Sequence, residues 1–237
     1  MRPMVDLVGR TAVLLPGTAS DEVFVRSVFE EPLAQVGIGV TAPPTVSVEE
    51  HLAALDAAWT GTPLLVGGVS LGAHVAAAWA VRHPERCAGL LLALPAWTGD
   101  AGDAPAALSA RAGAAVVERD GVDAALVGVD GWLGAELSRA WRRHGPGLAP
   151  TLRAAARSAA PTTAELAGVR APAGVAACSD DPIHPVGVAR SWTVALPRAE
   201  LRTTTLTALG VDRAALGRAA VLALAAALVR TTDFGRH

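Results

Sequence analysis

The chain has 237 residues, a formal net charge of −2 at pH 7 and 51% hydrophobic residues, enough to bury the core of a single α/β domain. Near-neutral charge without a basic face argues against nucleic acid as a partner. No run of about eighteen uninterrupted apolar residues suggests a membrane span, and the N-terminus lacks the pattern of a secretory signal, so a cytoplasmic protein is expected.

Every basic residue other than histidine is arginine, and alanine is abundant. That bias reads as the codon usage of a GC-rich bacterial genome. Cys87 and Cys178 fall in or beside predicted buried strands and read as inert core thiols.

Thr11 to Leu15 is a short apolar strand, broken by Pro16-Gly17-Thr18. A helix is predicted over Asp21 to Val36, with Pro32 as a place for a kink. Ile38 to Thr41 is the next strand. Ser47 and Glu50 form a capping box that opens a helix running to about Thr60. His51 lies on that helix, which reads as a surface helix.

Leu64 to Val66 leads into Gly68-Val69-Ser70-Leu71-Gly72, followed by a small-residue helix that ends at His83-Pro84 and a strand over Gly89 to Leu94. Strand, sharp turn, helix is the context in which G-x-S-x-G places a serine on a strained nucleophile elbow. The residues two before and two after the serine must be small, and both are glycine. A helix starting at Leu71 directs free N–H groups and its positive dipole end at any oxyanion formed on Ser70.

From Thr98 to Pro161 strand signals vanish, and alanine-rich helices are predicted over Pro105–Arg119, Trp132–His144 and Leu148–Ala159. Val169 to Cys178 resumes the sheet. Pro185 to Leu196 reads as a helix, Glu200 to Leu206 as a strand, and Val211 to Val229 as the closing helix. Strands separated by helices of this length imply right-handed crossovers and a parallel sheet. The expectation is one three-layer α/β/α domain over residues 1–237, with about six parallel strands and a helical lid inserted at 98–161. The insertion falls where open α/β sheets bind ligands.

Leu14-Leu15-Pro16-Gly17, the elbow around Ser70, His83-Pro84-Glu85-Arg86 and Asp180-Asp181-Pro182-Ile183-His184-Pro185 together resemble the α/β-hydrolase fold superfamily. The likeness covers nearly all of the chain, except that Met1 to Arg10 is too short for the family's leading strand pair. It implies that the second strand sits at one edge, next to the first. It also implies a triad in the order serine, acid, histidine. Ser70 matches the nucleophile and Asp181 the acid, with Asp180 the alternative if the register slips by one. The oxyanion hole would use the N–H groups of Leu71 and Thr18.

The family's histidine follows the last strand, usually after a glycine. Here Gly210 is followed by Val211, so the expected general base is absent from its expected position. Among the six histidines, His74 is expected to pack inside, His144 lies in the insertion and His237 at the terminus. His184, three residues past Asp181, is the surrogate candidate, although in the family a histidine there is commonly structural. Trp97 and Trp132 are candidates for a substrate pocket, and Trp141 for packing within the insertion. No metal cluster, phosphate loop or dinucleotide fingerprint is visible, and no cofactor is expected. The sequence therefore suggests a serine esterase or thioesterase acting through a Ser70 acyl-enzyme on a small to medium, partly apolar substrate, with activity impaired by Val211. The alternative is a non-hydrolytic relative that binds a small molecule, or a lyase or cyclase that uses the oxyanion hole. A homodimer is left open.

Overall fold

The computed structural model describes residues 7–233. His237 and the first six residues lie outside that range. Six strands, β1 Thr11–Leu15, β2 Gly39–Thr41, β3 Leu64–Val69, β4 Cys87–Ala93, β5 Ala173–Cys178 and β6 Ala199–Thr204, pair in parallel in the order β2-β1-β3-β4-β5-β6. The second strand is at one edge beside the first, as the resemblance implies.

Helices cover both faces. Successive residues of a strand point to opposite sides, and the two cores divide accordingly. Val13, Leu15, Val66, Leu90, Leu92 and Val175 pack with α2 (Val48–Ala58), α3 (Leu71–Arg82) and α9 (Val186–Ala195). Ala12, Leu14, Leu65, Leu91 and Ala176 pack with α1 (Glu22–Ala34) and α11 (Ala214–Asp233). The central strands are apolar on both sides and so read as unbroken apolar runs rather than as alternations.

Pro32 lies inside α1 and does not divide it. Having no N–H, it leaves the Val28 carbonyl without its helical donor. Gly217 of α11 comes so close there that a Cβ would overlap the Val28 carbonyl. The two helices thus meet backbone to backbone where the proline has opened one of them.

Between β4 and β5 lie α4 (Pro105–Asp120), α5 (Val122–Ala125), α6 (Gly131–His144), α7 (Leu148–Ala155) and α8 (Thr163–Ala167). Helix α6 is pinned to the start of α1. Arg139 grips the Asp21 carboxylate with two hydrogen bonds of 2.8 and 2.7 Å, and Asp21 also caps α1 by accepting from Phe24 N at 3.0 Å. Burial pushes the Asp21 carboxyl up, but Arg139 and the Phe24 N–H outweigh it and hold it below its ordinary range. No helix among the described residues is long and apolar enough to cross a membrane.

The C-terminal segment departs from the sequence reading. The last strand ends at Thr204, and a separate short helix, α10 (Leu206–Val211), precedes α11. Thr205 caps it by accepting from Ala208 N at 3.0 Å. Asp212 ends it and accepts from Ala214 N at 2.9 Å, which starts α11. Val211 therefore closes one helix rather than opening the next.

Candidate active site

The three non-glycine residues with left-handed backbone among the described residues are Ala19, Ser70 and Leu94, with φ of 52°, 54° and 52°. All three lie just past the carboxyl ends of neighbouring strands, β1, β3 and β4. Such conformations cost roughly 1–3 kcal/mol each and persist only where the surroundings impose them.

At Ser70 the imposing contacts can be named. A Cβ on Gly68 would overlap the Leu15 carbonyl and Gly72, and one on Gly72 would overlap the Leu15 and Pro16 carbonyls. The Ser70 N–H is tied to the Ala93 carbonyl at 2.9 Å, and its carbonyl accepts from His74 N at 3.1 Å. The side chain is thereby raised out of the sheet at the N-terminus of α3.

The Asp181 loop reaches it from β5, two strands away. The Asp181 Oδ1 accepts from Ile183 N at 2.8 Å and from His184 N at 3.1 Å, so the carboxylate folds the following three residues around itself. That turn brings the His184 ring back onto the same carboxylate, with Nδ1 at 2.9 Å from Oδ2. The opposite nitrogen, Nε2, lies 3.0 Å from Ser70 Oγ. A carboxylate can only accept, so Nδ1 carries the ring proton, and Nε2 accepts from the serine hydroxyl. Burial pushes the Asp181 carboxyl up, but His184 and the two backbone N–H groups prevail and hold it below its ordinary range. It is thus an anion facing the imidazole.

The other residues singled out from the sequence fall as follows. Val211 is 86% exposed at the end of α10. The imidazole that meets Ser70 comes from the loop after β5 rather than the segment after β6. Asp180 points away, with its Oδ1 accepting from Leu206 N at 2.7 Å and so holding the first turn of α10. Leu71 is the first residue of α3, so its N–H has no acceptor within the helix. Thr18 follows Gly17, where a Cβ would stand 3.4 Å from Ser70 Cβ.

Trp97 is only 6% exposed and belongs to the core, with Nε1 donating to Ser158 O at 3.2 Å. Trp132 of α6 packs on Gly210, stacks with Phe24 at 6.5 Å and lies under the Arg213 guanidinium at 4.4 Å. Both tryptophans are engaged in packing. Trp141 packs beside Ala19, Ala114 and Leu148. Both cysteines are buried and free, and burial pushes each thiol up to about 12.

Two further histidines are buried, His74 as the sequence suggests and His51 against it. His74 accepts from Ala96 N at 2.9 Å and lies against Trp97 and Trp192. Burial, with the nearby His184, pushes it down to about 3, so it stays neutral. His51 does not face solvent. It is 1% exposed, and its Nε2 lies 3.0 Å from the Pro16 carbonyl.

Solved structures share this architecture. MenH from S. aureus superposes with a TM-score of 0.68 at 14% identity, over 95% of each chain. A thermophilic esterase from Thermogutta terrifontis gives 0.62 at 17% identity, over 84% of this chain and 82% of that one. The chain has the α/β-hydrolase fold. The thioesterase domain from the curacin biosynthetic pathway, another protein with the α/β-hydrolase fold, gives 0.60 at 16% identity, over 90% of this chain and 91% of that one. No family model matches the sequence, and no curated protein matches it. At these identities the likeness carries the fold, and the chemistry rests on the side chains.

Proposed function

We propose that the protein is a serine hydrolase that cleaves an ester or thioester through a Ser70 acyl-enzyme, with His184 as general base and Asp181 as the acid that orients it. The observation that carries this reading is the single imidazole 3.0 Å from Ser70 Oγ on one side and 2.9 Å from Asp181 Oδ2 on the other. On this reading Val211 does not impair activity, because the base comes from the acid's own loop.

The chemistry then follows. As Ser70 Oγ attacks the substrate carbonyl, its proton passes to His184 Nε2. The anionic Asp181 stabilises the imidazolium so formed. The carbonyl electron pair moves onto oxygen, where the N–H groups of Leu71 and Thr18 receive it. The C–O or C–S bond to the leaving group breaks, and His184 returns the proton to that group. Water repeats the sequence in reverse and frees the acid and Ser70. A partly apolar acyl group is consistent with Ile183, which is 36% exposed beside His184.

The test is labelling by a fluorophosphonate together with hydrolysis of a p-nitrophenyl ester series. The native protein labels at Ser70, and both labelling and turnover are lost in Ser70→Ala and His184→Ala. Absence of labelling in the native protein, with tight binding of an apolar ligand, would instead favour a non-hydrolytic role for the cleft.

A further inference from the structure

We infer that His51 is a positioning residue for the oxyanion hole, holding the Pro16–Gly17–Thr18 loop so that the Thr18 N–H faces the same point as the Leu71 N–H. This rests on the Ser70 acyl-enzyme reading. His51 sits on α2, a helix of the outer layer, yet it is 1% exposed. Its Nε2 meets the carbonyl of Pro16, 35 residues earlier, at 3.0 Å. A carbonyl only accepts, so Nε2 carries the proton and donates it. The remaining nitrogen, Nδ1, is buried without a partner among the described residues. A buried polar atom without a partner is costly. The ring therefore keeps one hydrogen bond, to the loop, and leaves its other nitrogen unsatisfied.

The loop needs such a tie. Gly17 lies so near the nucleophile that a Cβ would stand 3.1 Å from the Val69 carbonyl oxygen and 3.4 Å from Ser70 Cβ. Gly72 leaves no room under the Leu15 and Pro16 carbonyls. These contacts limit how closely the loop approaches, but they exert no pull on it. Pro16 has no N–H, so its carbonyl is its one polar handle. Beyond it the chain turns sharply, with Ser20 N bonded to Gly17 O at 3.1 Å and Ala19 at φ 52°. A Pro16 carbonyl free to rotate would turn the Pro16–Gly17 peptide and carry the Thr18 N–H with it.

The anchor itself is rigid. Ser47 caps α2 by accepting from Glu50 N at 3.1 Å, and His51 N bonds Ser47 O at 3.0 Å. Leu55, one turn on, is fully buried and sets the inward face. Burial pushes the His51 ring down, against the opposing pull of the Pro16 carbonyl and Glu50, so the ring remains neutral and keeps the Nε2 proton.

The test compares His51→Gln, which keeps a donor of similar reach, with His51→Met and His51→Asn. Met fills the space without a donor, and the Asn amide falls one methylene short. The readouts are the rate of fluorophosphonate labelling at Ser70, kcat and KM for a p-nitrophenyl ester, and the melting temperature. With Met or Asn, kcat and the labelling rate fall about 10- to 100-fold, as expected when an oxyanion donor is displaced, while KM stays within about twofold. Gln stays within about threefold of the native protein. The inference is overturned if Met and Asn match the native rates, if Gln falls with them, or if the loss is in KM alone. If one donorless variant does not fold, the other gives the same contrast with Gln. Failure of the native protein to label would instead sink the Ser70 reading itself.

Discussion

The loop after β5 and the segment after β6 leave neighbouring strands at the same edge of the sheet and have opposite roles. The first, 179–185, carries Asp181 and His184 and reaches Ser70. The second, 205–213, is the short helix α10 with its caps, and it is occupied with packing. Gly210 receives Trp132, Asp180 holds the Leu206 N–H, and Arg213 donates to the Leu209 and Gly210 carbonyls. The difference teaches that a nucleophile elbow fixes where an imidazole must arrive, without fixing which strand must deliver it. A turn closed by the acid's own carboxylate delivers it over a sequence distance of three residues.

The contrast breaks most decisively at Ser70 and His184. Alanine at either lowers kcat for an active ester about 10⁴-fold or more, because members of such a unit fail together. A His184→Ala variant with native turnover would move the base elsewhere. Asp181→Asn comes next, at about 10³- to 10⁴-fold in kcat, since the amide favours the wrong ring tautomer.

Acid stability tests the burial of His74, the imidazole packed beside this loop. His74 is pushed to about 3 from 6.5. The unfolded chain takes up a proton near 6.5 that the folded protein refuses until about 3, so stability falls as pH drops through that window. Between pH 6.5 and 4.5 the loss from this group is about 2–3 kcal/mol. Urea unfolding at the two pH values shows it, and His74→Gln removes most of it. His51 adds a slope of the same sign, and Asp181, being depressed, adds its own only at more acid pH.

Asp180→Ala, next to Asp181, costs only the hydrogen bond from the Leu206 N–H at the start of α10, about 1 kcal/mol in urea unfolding, and leaves kcat nearly unchanged. Smallest of all is Val211→His. At an exposed helix end it leaves stability within about 0.5 kcal/mol and adds no esterase activity. A clear gain would show that the segment after β6 still addresses Ser70.

These two segments also mark where the sequence was legible. The elbow was visible because its requirements are local: two glycines flanking a serine between a strand and a helix. The order of the sheet followed from strand–helix alternation. Its place in the loop set Asp181 ahead of Asp180, and it is Asp181 that meets the His184 ring. His184 was readable only as a surrogate candidate, since the Ser70–His184 contact spans 114 residues. The available signal was the spacing itself, an aspartate whose carboxylate accepts from the N–H groups two and three residues on, with a histidine at the third. Helix α10 was hidden by its brevity, though Thr205 at its cap was a clue. His51 was misread as outward because its helix is peripheral. Its spacing of four from Leu55 puts the two on one face, and that face is buried.

The self-contained turn at Asp181 has a consequence for how this chain can diverge. Proton acceptor and carboxylate are carried by four consecutive residues and two backbone N–H groups, so their mutual geometry does not depend on how β6, α10 and α11 are assembled. On the proposed reading, β6, α10 and α11 are thereby released from catalysis and constrained by packing. Drift should accumulate there while 180–185 stays fixed, and the acid–base arm is short enough to be transplanted whole onto a related sheet.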